Sequence, residues 1–425
     1  MDIYLKRIIE EENDNDRFMY LDCLLSNKWL DIKVLEDYYI ENISRDSISF
    51  AEKYYNIVNI ERIEDAIIKS KSSLVAYWIC EFARKVKGAN ISKLEDTVIK
   101  SGDAYHIYEF ARDIKGANIT RLEDAIIKTK KNHIICMFVK DVKNANINKL
   151  VEAVIKKTYN LEDIIQMACV VNDKRLEDII VENEDPSFIY RFALFAKGAN
   201  KSRLEDAIIK SNNPEYICKF ASMIMEANIN KLEDAIIKIN DMKYIETFAK
   251  DIEGANITKL EDAIIKKIKN NFKDESITSC IYSFARNVKG ANISKLEDAI
   301  IEINDMDYII QFAENVKGAN ISKLENIVIQ SDKSEYIYTF AKNVKGAKIS
   351  NLKNALLKTG NIYYVLLFAR DILKIKIQEL DEELYIKCTS FDKEEEQKSL
   401  EDSNISTDDV NQIKTTSKKK IKYMD

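Results

Sequence analysis

Apolar and polar positions along this chain alternate between two kinds of helical stretch. In "KLEDAIIK" the Leu, Ala and Ile positions fall on one helical face, and a polar break such as "SGD" (101–103) or "SNN" (211–213) follows. A longer stretch comes next, as in "AYHIYEFARDIK" (104–115). Such spacing predicts a short and then a longer amphipathic helix. Ser294-Lys295-Leu296-Glu297 and Thr120-Arg121-Leu122-Glu123 read as capping boxes opening the first helix. In that motif the hydroxyl accepts from the third helical N–H while the Glu turns back to the cap. Both prolines, Pro186 and Pro214, follow a capping Asp185 or Asn213, where a missing N–H costs nothing. Gly116, Gly198, Gly254, Gly290, Gly318 and Gly346 sit where a left-handed residue would end the second helix.

The pair of helices is a repeat. Anchored on the Leu or Ile of "LED", the copies fall at Leu35, Ile63, Leu94, Leu122, Leu150, Leu176, Leu204, Leu232, Leu260, Leu296, Leu324, Leu352 and Leu380. Nine of the twelve intervals are 28 residues; the others are 31, 26 and 36. A helix of about eight residues is too short to stand alone, so each pair must bury its stripe on the next. The expected fold is all-α: an α-solenoid of about a dozen two-helix copies, stacked as a right-handed superhelix. Residues 1–34 read as an N-terminal helical cap, 35–388 as the solenoid and 389–425 as a polar, disordered tail.

The stretch "GANISKLEDTVIKSGDAYHIYEFARDIKGANI" (88–119) resembles a 28-residue helical-pair repeat of uncharacterised bacterial and phage proteins. The resemblance spans roughly residues 30–380 and implies a fold without an activity, so it transfers no functional residue. The period separates the chain from tetratricopeptide repeats at about 34 residues, ankyrin at about 33 and HEAT or armadillo at about 40–47.

Composition supports helices joined by short turns: 46% hydrophobic, 32% charged, and only 9 Gly and 2 Pro in 425 residues. The net charge of −6 gives no support for nucleic-acid binding by the whole surface. Seven scattered cysteines without a CxxC argue against a disulfide or zinc framework and for a reducing compartment. With an acidic N-terminus and no apolar run of about 20 residues, a cytoplasmic protein without membrane contact is expected.

Chemistry is sparse. The two histidines, His106 and His133, fall on second helices of different copies with no HExxH partner, so no metal or triad role is assigned. No GxGxxG, GxxxxGK[ST] or GxSxG occurs. The paired acids of "LED" recur in most copies and read as structural, as do Asn90, Asn118, Asn146 and their equivalents beyond each glycine. Cys80, Cys136 and Cys218, two residues before a repeat Phe, fill a packing slot. The expectation is no enzyme, no catalytic residue, no metal and no cofactor.

Two surface features stand out from the refrain. A basic stripe is formed by pairs two and five residues after the repeat Phe: Arg84/Lys87, Arg112/Lys115, Lys140/Lys143, Arg286/Lys289 and Lys342/Lys345. It could serve a nucleic-acid backbone, or balance charge at helix C-termini. The third position after Phe lies at about 300° on the helix, away from the apolar arc. Most copies put Asp or Asn there, but the copies at Phe192 and Phe220 put Phe195 and Met223, with Leu194 and Met225 beside them. These four form either an exposed patch for a protein partner or self-association, or a site buried because the preceding 26-residue copy re-tilts its helices. An insertion within 266–278, carrying Lys266, Lys267, Lys269 and Lys273, would project as a basic loop. The terminal "KKKIK" (418–422) reads as part of a solvated tail. The function expected is a non-catalytic interaction scaffold, with a nucleic-acid-binding solenoid as the alternative.

Overall fold

In a computed structural model, residues 3–9, 14–157, 160–268 and 275–375 are described. Among them are 26 α-helices and no strand. The chain forms two compact units, Met1–Asn200 and Lys201–Asp425. Within each, helices of mostly 10 or 11 residues follow one another. The first of a pair, such as Ile91–Ser101 or Ile119–Thr129 with 11 residues, is not the shorter one expected, since the second, Ala104–Asp113, has 10. The cause is a cap on the first, Asn90 or Asn118, two residues before the expected one. Every anchor from Leu35 to Leu352 is fully buried, and Leu380 lies outside the described residues, as does the tail from 389. Facing the anchors are the second-helix aromatics, such as Phe82, Phe110, Phe248 and Phe312, also fully buried. Helix contacts run between successive helices and between like helices of neighbouring copies, the pattern of a stacked array.

The helix starts differ from the expected capping box. Asn90, Asn118, Asn292 and Asn320, not the Ser or Thr two residues later, are the N-caps, as is Asn228 in a copy that has Asn230 there. Each side chain accepts from the N–H three residues on, as from Lys93 to Asn90 at 3.2 Å. A short carboxamide on extended backbone satisfies that donor, so the Glu is not needed at its own cap.

The Glu instead joins copy to copy. Glu64, Glu95, Glu123, Glu233 and Glu297 are all 3% exposed or less. They accept from the backbone N–H of the next copy's cap residue: Asn90, Asn118, Asn146, Asn256 and Asn320, at 2.6–2.8 Å. The Lys or Arg just before each anchor then reaches back to the same carboxylate and to the Asp beside it. Lys259 Nζ lies 3.0 Å from Glu233 and 2.6 Å from Asp234. The phrase "KLED" is thus complementary to itself along the stack: its acids bind the cap and the cation of the copy that follows. The cation is held charged, Lys259 being shifted upward by hydrogen bonds to Asp234 and then Glu233. Two copies lack the acid: Val151 stands fully buried in the Glu position of one, and Lys353 takes that position in the copy anchored on Leu352. In the copy after Val151 the cap moves by one residue, to Asp173.

The glycines also sit elsewhere than expected. The helix Ala104–Asp113 has its C-cap at Ile114, and Gly116 lies two residues beyond at φ +91°. The N–H of Ala117 donates to the Ile114 carbonyl at 3.3 Å, closing a turn whose third residue needs positive φ. Gly198 is constrained twice, because a Cβ there would stand 2.3 Å from the Asn172 side chain, whereas one on Gly116 meets nothing within 4 Å. Both substitutions strain the backbone by about 1 kcal/mol. Gly198→Ala is expected to cost more than Gly116→Ala by roughly a further 1–3 kcal/mol of overpacking. Urea midpoints of the two single variants check this; equal midpoints would show that Asn172 simply rotates away.

The 266–278 segment begins in the last turn of the helix Ile257–Ile268 and ends in the first turn of the helix Glu275–Asn287, of 12 and 13 residues; the expected projecting loop falls on 269–274, outside the described residues. Lys266 and Lys267 lie in the last turn of the first, and Lys267 Nζ donates to the Asn240 carbonyl at 3.1 Å. Lys269 and Lys273 lie outside the described residues. The N-terminal cap comprises Ile3–Ile9 and Asp14–Ser26, and the next helix, Ile32–Glu41, begins before the expected boundary at 35.

Candidate interaction surface

The outer surface of each second helix is written by a few positions around its buried Phe. The position three residues after Phe, with the position two before it, builds a polar ladder in several copies. Tyr108 Oη donates to Asp141 at 2.7 Å and accepts from Arg112 at 3.0 Å. In the second unit Tyr338 Oη likewise donates to Asp371 at 2.5 Å and accepts from Lys342 at 3.0 Å. Arg84 reaches Asp113 of the following copy at 2.7 Å. The Arg112 guanidinium beside Asp113 holds that carboxyl below the usual carboxylate range, with Arg84 adding to the effect.

This ladder takes up half of the basic stripe. Arg84 is paired with Glu81 and Asp113, and Arg112 with Asp113. Lys342 is held by Tyr338 and lies 3.5 Å from Asp371, while Lys87 stands over the Tyr55 ring at 5.2 Å. Arg286 donates only to the Tyr282 hydroxyl, at 3.1 Å. Lys115, Lys140, Lys143, Lys289 and Lys345 are exposed and have no ion-pair partner among the described residues. The continuous i, i+3 stripe expected from sequence is therefore discontinuous: its inner members are mostly tied down, and its outer lysines are free.

The apolar substitutions interrupt the ladder. Phe195 and Met223 are each 56% exposed and Met225 is 86% exposed, whereas Leu194 is half-buried. Burial by a re-tilt of the helices is thereby ruled out for three of the four. Leu194 and Phe195 belong to the first unit, at the end of the helix Pro186–Phe195. Met223 and Met225 belong to the second, at and just past the end of the helix Pro214–Met223.

Within the first unit the apolar ridge begins one copy earlier than the sequence suggests. In the helix Leu161–Val170, Met167 takes the buried place of Phe. This puts exposed Cys169 and half-buried Val170 at the positions equivalent to Leu194 and Phe195. That helix packs on Pro186–Phe195, and the Lys197 N–H donates to the Ala168 carbonyl at 2.8 Å. Only alignment of Met167 with the Phe column would have found these two positions. The bidentate Arg191–Glu162 pair, both bonds 2.7 Å, links the same two helices and lowers the Glu162 pKa.

Among the described residues no group of three His, Cys, Asp or Glu side chains could hold a metal ion. His106 Nδ1 lies 3.1 Å from the Asp103 carboxylate that caps its own helix, and His133 is exposed on a different helix. Cys80, Cys136, Cys218 and Cys280 are free and buried, and burial pushes each thiol up to about 12. Thiols of that kind are inert packing groups rather than nucleophiles. No helix among the described residues is long and apolar enough to cross a membrane. No family model and no curated protein matches the chain.

Proposed function

We propose that this protein is a non-catalytic scaffold that binds a protein partner through the apolar side chains breaking its polar ladder. The observation that carries this reading is the exposure of Phe195 and Met223 at positions where other copies place Asp113, Asp141, Asn287 or Asn343. A large apolar side chain kept in water contributes little to folding, so its energetic use is contact with something else. The partner presents an apolar anchor of its own to the Cys169, Val170, Leu194 and Phe195 ridge of the first unit, and the polar copy before that ridge forms part of the rim. The repeat supplies a rigid frame whose stability does not depend on these side chains. The buried, unpaired thiols fit a reducing, cytoplasmic setting.

The test is Phe195→Asp and Met223→Asp, singly and together, on the full chain. Phe195→Asp is expected to abolish capture of a partner from the native host, or self-association in sedimentation, while shifting the melting temperature by less than about 2 °C. Capture and sedimentation unchanged in the double variant would remove this assignment. A large loss of stability would place these side chains in the fold rather than in an interface.

A further inference from the structure

Unpaired cations border the apolar ridge of the first unit, and the repeat explains their state. The ridge side chains are the last two residues of the helices Leu161–Val170 and Pro186–Phe195. The equivalent helix of the preceding copy, Asn132–Asp141, packs on the first of these and carries Lys140 in its last turn. Two copies earlier, Arg84 stands two residues after its Phe and reaches Asp113, three residues after the next Phe, at 2.7 Å. The same step from Lys140 leads to Val170. A ridge side chain thus replaces the counter-ion, and Lys140 is exposed with no ion-pair partner among the described residues. Lys143 and Lys197, each two residues past the end of its helix, are exposed and unpaired in the same way.

The carboxylates of these three helices and their caps do not offset the lysines. Asp141 alone lies at the C-terminal ends, and it accepts from the Tyr108 hydroxyl at 2.7 Å. Glu162, Asp163 and Asp185 stand at helix starts, where Arg191 holds the first, Asn132 donates to the second and the third caps its own helix. Asp173, beyond the first ridge helix, is bonded by Arg175. Three free ammonium groups and one carboxylate therefore border the ridge.

The ridge calls for an apolar contact, and the lysines call for carboxylates at the edge of that contact. A phosphate backbone would use the lysines and leave Val170 and Leu194 uncovered. We infer that the ridge takes a protein segment whose apolar side chains are flanked by Asp or Glu, the carboxylates meeting Lys140, Lys143 and Lys197. This rests on the ridge being the binding surface. Neighbouring helices are about 8–10 Å apart, so Lys140 and Phe195 lie roughly 16–20 Å apart across the stack. That is about six residues of extended chain or about 13 of helix.

A random library of peptides of about 16 residues, long enough for either form, is selected on the immobilised full chain, and enriched peptides are measured by fluorescence anisotropy. They should carry Asp or Glu beside Leu, Phe or other apolar residues. Phe195→Ala removes the apolar side chain without adding a repelling charge, and should weaken them at least about tenfold. K140E/K143E/K197E should weaken them at least about tenfold at about 50 mM salt, and selection on that variant should enrich Lys or Arg instead of acids. Lys→Gln at the three positions is the milder variant should charge reversal disturb folding, with a loss of at least about threefold. Lys345→Glu, in the second unit, should leave binding within about twofold. Enriched peptides without acids, or acidic peptides bound equally by the lysine variants, overturn the inference and leave the apolar ridge standing as a binding surface. Peptides insensitive to Phe195→Ala, or no enrichment at all, overturn both readings. Single-stranded DNA bound as tightly as the best peptide, and insensitive to Phe195→Ala, would likewise overturn the inference and make the lysines a phosphate site.

Discussion

Glu233→Ala is expected to destabilise the second unit by roughly 3 kcal/mol, from a charge-assisted hydrogen bond worth about 1.5–3 and one buried methylene at about 0.8. Glu233 is fully buried, accepts from the Asn256 N–H at 2.7 Å and faces the Lys259 ammonium at 3.0 Å. Removing it leaves a helix-cap N–H unpaired and opens a gap between two copies. Asp234→Ala, one residue along, removes an exposed partner of the same lysine and should cost less than about 1 kcal/mol. Glu233→Gln keeps the shape and one acceptor but loses the charge, and should fall between them. In an array held by neighbour contacts, a weakened interface also lowers cooperativity. The alanine variant should therefore show a broader urea transition as well as an earlier one. Equal midpoints for the two alanine variants would mean that the link between copies is solvated and contributes little.

That link marks the limit of what could be read from sequence. Periodicity exposes the anchors, the alternation of short helices and the stacking, because apolar spacing at 28-residue intervals has one economical explanation. The partner of the buried Glu is different in kind. A Glu three residues after a Ser or Thr fits a local capping box, and only coordinates show that its acceptor oxygens point 23 residues onward, from Glu233 to Asn256. The local reading was sound chemistry with the wrong partner, since both arrangements satisfy a cap N–H with a carboxylate.

Surface readings divide along the same line. Which side chains face water follows from helical angle, so Phe195 and Met223 could be picked out by counting from their Phe. Which charges neutralise one another does not, because the pairing runs between copies, as from Arg84 to Asp113. A stripe of cations drawn from one-dimensional spacing therefore counts Arg84 and Lys289 as equals. In the fold one is tied to two carboxylates and the other is free. The apolar rung at Val170 gains its meaning only after the Asp rungs are seen as counter-charges. The rungs thus come in several chemical kinds on one repeated frame: Asp, Asn, apolar and, at Lys85, a cation. A repeat whose stability rests on "KLED" and Phe is free to vary this one outward position, and variation there alters what the surface binds without altering the fold.

The largest pH effect is expected on the alkaline side. Cys80, Cys136, Cys218 and Cys280 are all buried, and burial raises each thiol from 9.0 to about 12. Three of them also lie against a backbone carbonyl of a neighbouring helix, Cys280 Sγ at 3.4 Å from that of Met242. Ionisation would put a charge in the core and remove that donor. These are acids whose folded pKa exceeds the unfolded one, so their contribution is complete below about pH 9. It is lost as the pH climbs toward 12, because the unfolded chain ionises first. At pH 10 the loss is on the order of 1–2 kcal/mol per thiol and about 6 kcal/mol for the four. Tyr39, pushed to about 12 chiefly by burial, adds to the loss above pH 10. The urea midpoint of the wild-type chain should therefore drop sharply between pH 8 and pH 10. C80A/C136A/C218A/C280A should start lower, since each truncation leaves a small void, yet drop far less over the same interval. An identical drop in both chains would assign the alkaline loss to surface lysines and tyrosines and leave the buried thiols without a part in it.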